Sequence, residues 1–206
     1  MSTPQRDWEA AKADLQRIES SFVTSQEAPA PVPVPVPVQA QPGRGRELSR
    51  PDSVMKLYEG AGFQVSIPRN WMPARSASGM TTYFAAPDGK WEIEGGMTVA
   101  LGMIAGFERA GVHDLKILAQ DRLDSLARDN PGLRVLVQRP LQLAGREAFS
   151  FVFENPGPIR GELERTMMVI TKQRDQAFFV TLTAPAVLFG ELQDTFERVL
   201  ASVQLR

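Results

Sequence analysis

The sequence predicts an α+β domain built on a mainly antiparallel sheet with helices packed on it. The domain spans residues 53–206, behind a short amphipathic helix at 1–24 and a Pro/Val-rich linker at 25–52. Three observations carry this reading. Apolar stretches with a two-residue period come in runs, separated by connections of hairpin length, so neighbouring strands pair antiparallel. A helical period appears only twice inside the domain, near 114–128 and again after Pro185. The last thirty or so residues, QAFFVTLTAPAVLFGELQDTFERVLASVQL, join a buried strand to an amphipathic helix, whose stripe needs a sheet to receive it.

At the N-terminus, Trp8, Ala11, Leu15, Ile18 and Phe22 recur at steps of three and four, with Thr3 placed to cap the helix and Pro4 to open it. A single helix of this length is marginal in water. Its apolar stripe therefore docks on its own domain, the helix frays, or the stripe engages another protein. In the last case Trp8, Leu15, Ile18 and Phe22 are the candidate partner-binding residues. Burying them at ~1.5–3 kcal/mol each gives ~6–12 kcal/mol gross. Association costs remove several kcal/mol of that, which leaves a weak to moderate contact.

In the following linker, APAPVPVPVPV places proline at every second position. That spacing forbids helix and holds the chain extended, as a semi-rigid spacer. A proline-rich docking motif is the alternative. Arg44, Arg46 and Arg50 add positive charge beyond it, too little to define a partner.

The folded part is expected to begin near Tyr58. Phe63, Val65 and Ile67 alternate with polar residues as a half-buried strand that Pro68 ends. Thr81–Ala86 reads as a second strand, closed by Pro87-Asp88-Gly89, and Gly95–Gly106 as a third. Leu115, Leu118, Ala119, Leu123 and Leu126 then line one side of a helix over 114–128, which Asn130-Pro131-Gly132 stops. Strands are predicted at 133–138, 141–143, 148–153 and 165–171, with Gly145 turning the chain and Phe149, Phe151 and Phe153 sharing a core face. Phe178–Leu182 is the closing strand. Past Pro185, a single helix carries Phe189, Leu192, Phe196, Val199, Leu200 and Val203 on one stripe.

Composition excludes several functions. With 43% apolar residues and 11 Phe among 206 residues, the chain can bury a real core. A net charge of −1 gives no global attraction for nucleic acid or an anionic membrane. There is no cysteine, hence no disulfide, thiolate metal site or cysteine nucleophile. No apolar run reaches the ~20 residues of a membrane span. The residues MSTPQRDWEA lack the basic start and apolar middle of a signal peptide. If Met1 is the true start, the chain is expected to be cytoplasmic.

Motifs for chemistry are sparse. The one histidine, His113, precedes the middle helix and reads as a solvated helix-entry residue. Glu92/Glu94 and Glu162/Glu164 would each share a strand face, in places that read as wet sheet edges. Trp71, with Arg69 and Arg75 nearby, reads as a tryptophan closing the core, with a recognition patch as the alternative. Neither nucleotide-binding glycine fingerprint is present, and no GxSxG elbow supplies a nucleophile. No cofactor and no metal site are expected.

The blocks YEGAGFQVSIPRNW, NPGLRV, LQLAGREAFSFVF and FFVTLTAPAVLFGELQDTFERVLASVQL, in that order over about residues 58–205, resemble the module at the C-terminus of certain bacterial membrane-associated zinc metallopeptidases. In those enzymes a helix-bearing segment and a proline-rich linker precede the module, and residues 3–52 look similar. The module in turn resembles the fold of PsbP, the extrinsic photosystem II protein, also seen in a Ran-binding import factor. The resemblance implies an αβα sandwich and a non-catalytic accessory or binding module. Its expected partner is a protein, such as a peptidase or a membrane-associated complex. Such a peptidase needs HExxH plus a third ligand, and a chain with one histidine cannot supply them, so no catalytic residue carries over. A small-ligand carrier or weak enzyme, with a pocket between sheet and helices, is the competing expectation. As part of a longer peptidase the chain would be periplasmic or membrane-associated.

Overall fold

The computed structural model describes residues 48–93, 96–110, 114–157 and 161–206. The N-terminal helix with Trp8, Leu15, Ile18 and Phe22, the Pro/Val run, His113 and Glu94 lie outside the described residues. Twelve strands and three α-helices follow in the described part: β1 Met55–Glu59, β2 Phe63–Pro68, β3 Met72–Arg75, β4 Thr81–Ala85, β5 Lys90–Ile93, β6 Gly96–Val99, β7 Gly102–Arg109, α1 Leu115–Asp129, β8 Arg134–Leu143, β9 Arg146–Pro156, β10 Leu163–Gln173, β11 Gln176–Pro185, α2 Ala186–Phe189, α3 Gln193–Ala201 and β12 Gln204–Leu205.

Seven strands form one sheet in the order β3-β4-β7-β11-β10-β9-β8, with every neighbouring pair antiparallel. β1, β2 and β12 make a second, three-stranded sheet, and β5–β6 is a separate hairpin. Strand alternation divides the large sheet's side chains between two cores. On one face Phe84, Met103, Phe178, Val180 and Leu182 meet Phe63, Val65 and Ile67 of β2 and Phe196 and Val199 of α3. On the other, Phe151, Phe153, Met168, Ile170 and Phe179 meet Leu118, Ala119 and Leu123 of α1. The sheet is therefore sandwiched between helical layers, as expected.

Besides the short strands β1, β3 and β12, which the sequence does not predict, four details differ from the expectation. The run over 95–106 breaks at Ala100-Leu101 into β6 and β7, which lie in different sheets. Close packing at the break requires glycine: a Cβ on Gly102 would come 2.1 Å from the Phe84 carbonyl oxygen. The two strands expected at 133–138 and 141–143 are one, β8, and Pro140 sits inside it. That is tolerated because β8 is the last strand of its sheet and need not donate outward. The final helix is two, α2 and α3, separated by Gly190–Leu192, although Phe189, Leu192, Phe196, Val199 and Val203 all still reach the core. Finally, folded contacts begin before Tyr58 and within the stretch read as linker. Leu48 is buried, Ser49 Oγ donates to Asp88 at 2.7 Å, and Arg50 pairs with Glu191 at 2.7 Å.

Local signals explain the turns. Ala144 and Gly145, both at positive φ (52° and 72°), form the two-residue link between β8 and β9. Asp114 caps α1, its carboxylate accepting from the backbone N–H of Lys116 and Ile117. Asp114→Ala is expected to cost about 1 kcal/mol in urea unfolding, the usual worth of such a cap. No helix among the described residues is long and apolar enough to cross a membrane.

Candidate functional site

The end of the large sheet where β9 finishes and β10 begins carries a set of cross-strand polar contacts on both of its faces. The antiparallel register sets Arg165 opposite Glu154 and Glu164 opposite Asn155, while Arg134 of β8 faces Glu154 from the other side. Alternation sends Arg134, Glu154 and Arg165 to the face that packs on β2 and α3, and Asn155 and Glu164 to the α1 face.

On the first face Glu154 is 5% exposed and shared by two guanidiniums. Arg134 Nη2 donates to one carboxylate oxygen at 2.7 Å and Arg165 Nη2 to the other at 2.5 Å. The hydrogen bonds from Arg134 and then Arg165 hold the Glu154 carboxyl below the usual glutamate range. Arg165 also lies over the Phe189 ring, 5.7 Å from its centroid. A carboxylate held this way is a poor proton acceptor.

On the opposite face Asn155 Nδ2 donates to Glu164 Oε1 at 2.7 Å, while Asn155 Oδ1 and Glu164 Oε2 are buried with no partner. Burial pushes the Glu164 carboxyl up, only partly offset by the Asn155 hydrogen bond. Beside them the Thr166 and Thr183 hydroxyls are bonded to each other at 2.9 Å. Exposed apolar side chains surround this end: Leu163 at the start of β10, Val187 in α2 (85% exposed), and Val135, Leu136 and Val137 in β8.

Among the expected site residues, Trp71 is fully buried, which excludes a recognition patch with Arg69 and Arg75. Arg69 instead pairs with Asp52 at 2.8 Å. Glu162 and Glu164 do not form a wet edge pair. β10 is an interior strand, Glu162 lies outside it, and Glu164 is partly buried. Sequence reasoning missed Arg134, Glu154, Asn155 and Arg165. The available signal was a charged residue, Glu154, continuing the inward alternation of Ala148, Ser150 and Val152. Among the described residues no group of three or more His, Cys, Asp or Glu is placed to hold a metal ion.

The fold is of the PsbP-like α+β type. It is shared with cyanobacterial PsbP (CyanoP) from Synechocystis sp. PCC 6803, at a TM-score of 0.56 and 8% identity, covering 80% of this chain and 98% of that one. The Saccharomyces cerevisiae Ran-binding protein Mog1p matches at a TM-score of 0.51 and 13% identity, over 74% of this chain and 95% of its own. PA94 of Pseudomonas aeruginosa, described as a putative regulator, matches at 0.50 and 15%, over 74% and 97%. No protein-family model matches the sequence. No curated protein matches it either.

Proposed function

We propose that this chain is a non-catalytic accessory module that binds another protein. The observation that carries the reading is the sheet end just described. Its buried Glu154 carboxylate is locked between two arginines, its Thr166 and Thr183 hydroxyls are bonded to each other, and apolar side chains are left in water around it. Exposed apolar groups beside arginines are the composition of a protein contact. A Ran-binding protein with this fold is consistent with that role. The proposal extends to a membrane-associated peptidase as the partner, on the resemblance of the sequence blocks, with Trp8, Leu15, Ile18 and Phe22 as a second contact. Pull-down with purified peptidase, followed by analytical ultracentrifugation, tests it. Trp8→Ala with Phe22→Ala is expected to weaken association about tenfold or more, since each buried aromatic is worth ~1.5–3 kcal/mol. Unchanged association would remove the helix from the proposal.

A second reading, a small-ligand carrier, draws on Asn155 Oδ1 and Glu164 Oε2, two buried acceptors without donors. A ligand carrying N–H or O–H groups would satisfy both. A thermal-shift screen of amines and amides is its test. A rise in melting temperature that disappears in Asn155→Leu would favour it over protein binding.

A further inference from the structure

The seven-stranded sheet ends in two edges of very different character. β3 has four residues, one of them Pro73, and offers little backbone to a partner. β8 has ten, and the segment Arg134–Pro140 is exposed throughout. Among the described residues it pairs only with β9, which leaves its outer row of backbone groups open to them. Val135, Leu136 and Val137 are 40%, 39% and 46% exposed along it. Exposed β-branched residues on a long open edge are a liability unless something covers them.

A β-bulge decides which side chains that edge presents. Between Val135 and Val137 the register slips by one residue, leaving Leu136 without an opposite number on β9. Arg134 then stands opposite Glu154, Val137 opposite Val152 and Arg139 opposite Ser150. Residues 150, 152 and 154 share one face, so Arg139, Val137 and Arg134 do too, at successive same-face positions. Without the bulge the two arginines, five residues apart, would point to opposite faces. The Arg139 side chain has no ion-pair or hydrogen-bond partner among the described residues, while Arg134 and Arg165 share the single charge of Glu154. The edge is therefore cationic at both ends of a short apolar centre.

We propose that β8 accepts an added strand from a partner protein, an extended segment with acidic residues at positions j and j+4 and an apolar residue at j+2. The acids would face Arg139 and Arg134, and the apolar residue Val137, while backbone hydrogen bonds extend the sheet. A second copy of this chain is the wrong occupant through this strand. β8 contains no acidic residue, and antiparallel self-pairing about Leu136–Val137 sets Arg134 opposite Arg139, like charge on like.

This inference rests on the protein-binding reading above and names the surface and chemistry it uses. The probe is a fluorescein-labelled peptide, Thr-Glu-Thr-Val-Thr-Glu-Thr, titrated into the full chain by fluorescence polarisation at low salt. Binding is expected to weaken about five- to tenfold in Arg139→Glu, and similarly when both glutamates are lysine. Because Arg139 is exposed, Arg139→Glu should melt like the parent. N-methylating one alternate set of peptide amides should abolish binding and the other set should spare it, since an added strand bonds through one side only. Equal binding of both methylated peptides, or no binding of the parent peptide, would overturn the proposal. So would a dimer in the ultracentrifuge that the peptide dissociates, since a second copy would then occupy the edge. The Trp8→Ala, Phe22→Ala chain should bind the peptide like the parent. Its losing the protein partner while keeping the peptide would assign the lost contact to the helix and leave the edge intact, whereas its keeping both would remove the helix from the reading and leave the edge to carry it.

Discussion

Phe196→Ala is expected to remove about 3–5 kcal/mol from the unfolding free energy, the range for deleting a buried aromatic ring. Phe196 is fully buried, meets Phe189 edge to face at 5.4 Å, and lies in the cluster that also holds Trp71, Phe84 and Phe178. The helix bearing it has nine residues and no side-chain cap at its start. Such a helix has little stability of its own, so packing must hold it against the sheet. Domains of this size have about 5–15 kcal/mol in total, so the variant should sit close to unfolding at physiological temperature. Urea unfolding measures this, with Val187→Ala as the control. Val187 is 85% exposed, and its loss should change stability by no more than about 0.5 kcal/mol. A cost below about 1 kcal/mol for Phe196→Ala would mean the cavity collapses and α3 is held by something other than this ring.

The same residues show how much of the fold could be read from the sequence. The stripe from Phe189 to Val203 predicted a face, and that face is buried. It did not predict that Gly190–Leu192 would interrupt the helix, because a turn that keeps the stripe in phase leaves the period unchanged. Phe149, Phe151 and Phe153 were legible as one face because alternation is a local property of a strand. Pro140 misled because proline argues against an interior strand, and only the sheet order reveals that β8 lies at the edge. β1, β3 and β12 were not legible at all. Five, four and two residues long, they owe their extension to the strands they meet, which no local pattern encodes.

The sheet end was less legible than the fold, for a related reason. Glu154 and Arg165 are eleven residues apart and Glu154 and Arg134 twenty, and only the register brings them together. Counting from the hairpin loop would have paired 154 with 165 had the loop length been known. The β8–β9 pairing could not be counted that way, because the bulge at Leu136 shifts every position beyond it. Glu164 was noticed for its spacing from Glu162, which proved irrelevant. Its partner is the cross-strand Asn155.

Glu154→Ala should then cost about 2–3 kcal/mol near neutral pH. Removing one partner of a fully buried pair costs ~3–5 kcal/mol. Here the side chains of Arg134 and Arg165 are 71% and 33% exposed, so both guanidiniums can find water, and the loss approaches the ~1.5–3 kcal/mol of hydrogen bonds to a charged group. The two neighbouring glutamates should respond to pH with opposite signs. The arginines lower the folded-state value of Glu154 from the ordinary 4.5, so its contribution is present above that value and fades as pH falls through the lowered one. Burial raises Glu164 above 4.5, so the folded state binds that proton more tightly than the unfolded chain. Stability is then complete below 4.5 and declines as pH rises through the raised value. Urea unfolding followed from about pH 3 to about pH 8 separates the two, because ionisation is favoured at one residue and opposed at the other. Glu154→Gln should lose stability relative to the parent at neutral pH and converge with it in acid. Glu164→Gln should gain on the parent as pH rises, because an amide cannot ionise in that site. If both variants diverged from the parent in the same direction, the two faces of this sheet end would not be the opposed environments that the register implies.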